Sequence, residues 1–143
     1  MKITNKKAFY NYELTETFEA GINLFGFEVK SVRLGKADLT GSFVKIVGNE
    51  AFLINAKIFP YQNSQSEGYD ERRTRKLLLH KNEIISLKSK TDGANLALVP
   101  VSMYLKNGFI KVEVGLGKGK KQYEKRESIK KKDVQRDLER ELS

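Results

Sequence analysis

Alternating apolar and polar runs, two hairpin signals and an abrupt change of composition after Gly117 predict a mainly β protein. The architecture they fit is a small antiparallel barrel of OB-like type, with two or three short helices and a basic C-terminal tail. The chain has 143 residues, enough for one domain: a barrel over 1–117, then a tail over 118–143 that is disordered alone. Its hydrophobic content of 39% is low for a globular chain, so part of it should not pack.

The first strand is read from Tyr10, Tyr12, Leu14, Phe18, Ala20 and Ile22, which alternate with polar neighbours; Glu16 breaks the pattern. Phe25, Val29 and Val32 then take helical spacing, and Gly35 is placed to end that turn. Ser42–Val47 and Glu50–Ile58 flank Gly48-Asn49, a two-residue hairpin loop. Pro60 to Arg73 is mostly polar and reads as a long loop. Lys76–Leu79 is a short apolar run. His80-Lys81-Asn82-Glu83 looks like a helix start, with Glu at the capping-box place, and Gly93 closes that helix. Leu96–Leu105 and Phe109–Leu116 flank Lys106-Asn107-Gly108 as a second hairpin. Neighbouring strands are joined by turns, so the sheet should be antiparallel. A flat sheet with helices on one face is the alternative to a barrel.

The formal net charge is +9, and it is divided. Residues 118–143 hold ten basic and six acidic side chains, net +4, which leaves +5 for the barrel. The tail has few large apolar residues to offset its ordering entropy, hence the expected disorder. Yet Val134, Leu138 and Leu142 recur every four residues, so the tail should fold to a helix on binding.

Much chemistry is excluded at once. With no Cys and one His, there are no thiol nucleophiles, disulfides or Cys/His metal clusters, and no cofactor or metal site is expected. No window approaches the roughly 18 apolar residues of a membrane span, and Met1–Lys7 has no apolar h-region; a soluble cytoplasmic protein is expected. Gly115 to Lys121 resembles a phosphate loop, but neither P-loop nor Rossmann spacing fits, so it reads as a flexible hinge releasing the tail. Glu13, Glu16, Glu19 and Glu28 read as solvated carboxylates, or as acceptors for RNA donors. His80 reads as a cap before a catalytic base.

What remains is basic. Arg72, Arg73, Arg75 and Lys76 cluster at the end of the long loop, and Lys2, Lys6 and Lys7 precede a strand carrying Tyr10 and Tyr12. Lysine and arginine interleaved with aromatic residues suit RNA, because phosphate contact and stacking on unpaired bases use those two types.

Specific motifs sharpen this. Asn5-Lys6-Lys7-Ala8, Phe18-Glu19-Ala20-Gly21-Ile22, Glu28-Val29-Lys30-Ser31 with Arg33 and Gly35, Pro60-Tyr61, Arg73-Thr74-Arg75-Lys76-Leu77-Leu78-Leu79-His80 and Gly117-Lys118-Gly119-Lys120-Lys121-x-Tyr123-x-Lys125-Arg126 stand in order along the chain. With them the sequence resembles the bacterial SsrA-binding (SmpB) family, partners of transfer-messenger RNA (tmRNA). The resemblance implies an OB-like barrel that binds the tRNA-like domain of tmRNA and delivers it to stalled ribosomes, without catalysis and as a monomer when free. It places Asn5, Glu19 and Leu78 on positions linked to RNA binding, with Lys30, Arg33 and Lys76 on neighbouring motif positions; Lys7 and Arg75 join them from the basic clusters. It implies that Gly119, Lys120, Lys121, Tyr123, Lys125 and Arg126 begin a tail that becomes helical in the empty mRNA channel near the small-subunit decoding centre. The chain departs from the family in having Glu124 for Asp and no Pro after Asp70. A generic single-stranded RNA-binding OB module, and an RNA-acting enzyme centred on His80, are the rival readings.

Overall fold

A computed structural model of the protein describes residues 1–61 and 68–120. The elements run β1 (Lys2–Thr4), α1 (Lys6–Asn11), β2 (Tyr12–Ile22), α2 (Gly26–Arg33), β3 (Ala37–Asp38), β4 (Phe43–Val47), β5 (Glu50–Ile54), β6 (Lys57–Ile58), β7 (Arg75–Leu78), α3 (Lys81–Ala94), β8 (Ala97–Lys106) and β9 (Phe109–Gly119). Seven strands form one antiparallel sheet in the order β1-β8-β4-β5-β7-β2-β9, and β8 also pairs with β9. That pairing closes a six-stranded ring, with β1 added beside β4 on one side of β8. β3 and β6 form a separate two-stranded ribbon.

Ala20, Leu53, Leu77, Met103, Val112 and Val114 fill the barrel, with Val32 of α2 and Leu87 of α3 packed onto the same core. Both expected hairpins form, because each turn carries residues that tolerate positive φ: Gly48 at 61°, Asn107 at 52° and Gly108 at 83°. α3 starts where expected, with the His80 N–H donating to Glu83 at 3.1 Å. It runs through Gly93 and stops at Asn95, whose φ of 55° ends the helix in glycine's place.

Some expectations need correction, and the Glu16 exception finds its cause. Tyr10 lies in α1, not on a strand: Ala8 buries itself against the sheet, and the strand begins at Tyr12. The second arm of the first hairpin stops at Ile54; Asn55 turns the chain at a φ of 67°, and Lys57–Ile58 pairs with β3 instead. Glu16 breaks the alternation because β2 bulges between Leu14 and Glu16. Leu14 thereby pairs with Gly117 and lies over Gly115 and Gly117, on the face away from Val114 and Leu116.

The glycine run is therefore no hinge. A Cβ on Gly117 would stand 2.6 Å from the Glu13 carbonyl oxygen, and one on Gly115 would stand 2.9 Å from Leu14 and Val101. These glycines let β9 lie close against its neighbours, and the strand continues to Gly119, opposite Tyr12. Lys120 then pins the chain to α1: its N–H donates to Asn11 O at 2.8 Å and its Nζ to Phe9 O at 2.9 Å. The tail candidates Lys121, Tyr123, Lys125 and Arg126, and the stripe from Val134 to Leu142, lie outside the described residues.

Candidate nucleic-acid interface

β7, β2, β9, β8 and β1 turn one face outward. Register places Leu78, Gly21, Lys111, Tyr104 and Lys2 side by side across these five strands. Gly21 carries no side chain, so Leu78 leans over it while remaining 54% exposed. Glu19 stands two residues along β2 on the same exposed face. Its carboxylate accepts hydrogen bonds from the Tyr104 hydroxyl and from Lys106 Nζ, the latter at 3.3 Å.

The electrostatics follow from these contacts. The Tyr104 hydrogen bond chiefly holds the Glu19 carboxyl below its ordinary value; burial opposes it, and Lys106 adds to the lowering. Burial and the Glu19 carboxylate push Tyr104 up to about 12. At neutral pH the pair is thus an anion gripped by a neutral phenol and a lysine. Such a carboxylate, fixed in direction, can accept a hydrogen bond from a base amino group or a ribose hydroxyl. Lys76 stands on β7 beside Leu78 and reaches Glu50 at 3.2 Å.

The other candidates lie elsewhere. Lys30 and Arg33 are exposed on α2, where Lys30 Nζ sits 5.5 Å from the centre of the Tyr61 ring. Lys7 is exposed on α1 and lines a cleft of about 200 Å³ with Tyr12 and Phe43. Asn5 is buried: its Nδ2 donates to Pro100 O at 2.9 Å and Leu39 O at 3.3 Å, so it ties β1 to the bulged part of β8. Gly119 is exposed at the end of β9, with Lys120 just beyond.

Arg75 is not a surface cation. It is fully buried, and all five of its N–H groups are used. Nε donates to Glu28 Oε2 at 2.8 Å; Nη1 to Ala56 O at 2.8 Å and Arg73 O at 3.1 Å; and Nη2 to the Tyr69 hydroxyl at 2.8 Å and Glu71 O at 3.0 Å. Glu28, expected at the surface, is the equally buried centre of this cluster. Burial raises its carboxyl, but hydrogen bonds from Arg73, the Phe25 N–H, Tyr69 and Arg75 outweigh that and hold it below the ordinary value. Together these residues lock α2 to β7 and to residues 69–73 of the loop.

A closed OB-like barrel with an exposed face of lysines, an aromatic hydroxyl and an oriented carboxylate defines an RNA-binding class of protein. The sequence model of the SmpB protein family matches residues 2–143. The chain is 51% identical to the SsrA-binding protein of Bacillus pumilus over 136 residues, covering 95% of this chain and 87% of that one. It is 50% identical to those of Persephonella marina (94% and 89% covered) and Bacillus subtilis (95% and 87%). A solved structure from work on tmRNA-SmpB at the center of the bacterial ribosome superimposes with a TM-score of 0.71, at 46% identity and 85% coverage of each chain. The chain belongs to the SmpB family.

Proposed function

We propose that this protein binds the tRNA-like domain of tmRNA through its barrel and carries it to ribosomes stalled on truncated messages, as a non-enzymatic adaptor of ribosome rescue. The observation that carries the reading is the family match over residues 2–143, set beside a barrel whose outer face presents Glu19, Leu78 and Lys76 together. Among the described residues no helix is long and apolar enough to cross a membrane. The work of the protein belongs where ribosomes translate, in the cytoplasm. Glu19, Lys76 and Leu78 contact the RNA directly, while Lys7, Lys30 and Arg33 supply phosphate contacts from α1 and α2. Asn5 and Arg75 act through the structure: each fixes the backbone on which the contacting residues stand. His80 is the N-cap of α3, a structural role that needs no turnover.

A competition gel shift at fixed salt tests this, with folded tRNA-like RNA against single-stranded RNA of equal length. The folded RNA should win clearly. Equal affinity would overturn the adaptor reading in favour of a general single-strand-binding module.

A further inference from the structure

Phe25 immediately precedes α2 and is 52% exposed. An exposed phenylalanine is by itself ordinary. What distinguishes this one is how firmly it is held. Its N–H donates to Glu28 Oε1 at 2.8 Å. One side of its ring lies on the Arg73 guanidinium, whose Cζ is 4.0 Å from the ring centre. Arg73 is fixed in turn, because its Nε and Nη2 donate to the Glu28 carboxylate and Nη2 also reaches Asn23 O at 3.5 Å. Phe27 supports the ring from the helix side, with centroids 5.7 Å apart, and itself meets Tyr69 edge-on at 4.9 Å.

The buried Glu28 cluster thus ends at the surface in a rigid aromatic ring with a cation beneath it. Water gains nothing from such a ring, and the ring buries little for the fold. A planar ligand stacking on its open side would cost little further side-chain entropy, since the ring already packs against Arg73 and Phe27. The surroundings specify the ligand further. Lys30 and Arg33 lie on the same helix and suit phosphates, and Asn23, which holds Arg73, is bonded through its own N–H to Lys76 O beside Leu78. The platform therefore adjoins the strand ends that carry the outer face.

We infer that Phe25, seated on Arg73, is a stacking platform for an unpaired, solvent-exposed base of the bound RNA, forming a base–phenyl–guanidinium stack. The inference rests on the RNA-adaptor reading and deepens it. It extends the RNA surface from the barrel face onto α2, and it selects RNA that displays an unstacked base over continuous duplex.

The chain has no tryptophan, which makes the test direct. In Phe25→Trp the indole is the sole such fluorophore. Binding of folded tRNA-like RNA should be retained, and the emission should be quenched as the base stacks. In Phe25→Ala, RNA affinity should fall roughly five- to a hundredfold, the usual cost of losing one base–aromatic stack, at an unchanged melting temperature. If wild type binds the RNA but Phe25→Ala binds equally well and Phe25→Trp emission does not change, the platform is wrong and the adaptor reading stands. If wild type itself fails to prefer the folded RNA, both fall together.

Discussion

Glu28 and Arg75 are a buried ion pair in a small barrel, each with no exposed surface. Removing one charge from such a pair strands the other in a poorly solvating interior, at a cost of about 3–5 kcal/mol. Glu28→Gln should lower the unfolding free energy by that order at pH 7, read from urea titration; an unchanged midpoint would refute the pairing. The pH dependence has a definite sign. The folded-state carboxyl lies below its ordinary 4.5, so its contribution is complete above that value and is lost as pH falls through the folded-state pKa. Wild type should therefore lose more stability between pH 7 and pH 3 than Glu28→Gln does. The sequence held a signal for this arrangement. In β7, Arg75 and Leu77 share one face and Lys76 and Leu78 the other, and Leu77 belongs inside. Period two thus puts Arg75 in the core and leaves Lys76 and Leu78 on the exposed face. Counting four basic residues in five hides that distinction, because charge alone does not say which side of a strand a residue occupies. Glu28 could not be found that way, since its side-chain partners stand 41 to 47 residues further along the chain.

At the scale of elements, the hairpins were legible because turn chemistry is local. The strands β1, β3 and β6 were not, because each is two or three residues long and is defined by a distant partner. The glycine run misled for a related reason. Gly, Lys and Gly in alternation look mobile until β2 is laid against them, and only then does the need for close backbone approach appear. Gly117→Ala should cost about 1–3 kcal/mol, since the added methyl meets backbone and cannot be accommodated by a side-chain rotation. Gly119→Ala meets nothing within 4 Å and should leave stability unchanged. Thermal unfolding of the two variants side by side decides between strand and hinge; equal melting temperatures would restore the hinge.

The whole molecule divides its charge, with +5 on residues 1–117 and +4 on 118–143, but the structural joint falls later than that count suggests. β9 holds the chain through Gly119, and Lys120 is bonded to α1. A stop codon after Lys120 should therefore remove the tail without fraying the barrel. This truncated protein should bind tRNA-like RNA as wild type does, with the same salt dependence, and fail to support tagging on stalled ribosomes. Loss of RNA binding would mean that the tail belongs to the RNA surface. The closure of the ring has a consequence for how the molecule is made. β2 depends on β9 for nine paired positions, each ninety or more residues away, whereas β7 covers only its end at Gly21 and Ile22. Synthesis thus delivers one edge of the barrel early and its partner late, and no product that stops short of β9 can complete the ring. A copy of this protein whose own translation halts before β9 begins at Phe109 is left with an open strand edge, a form suited to degradation and not to service.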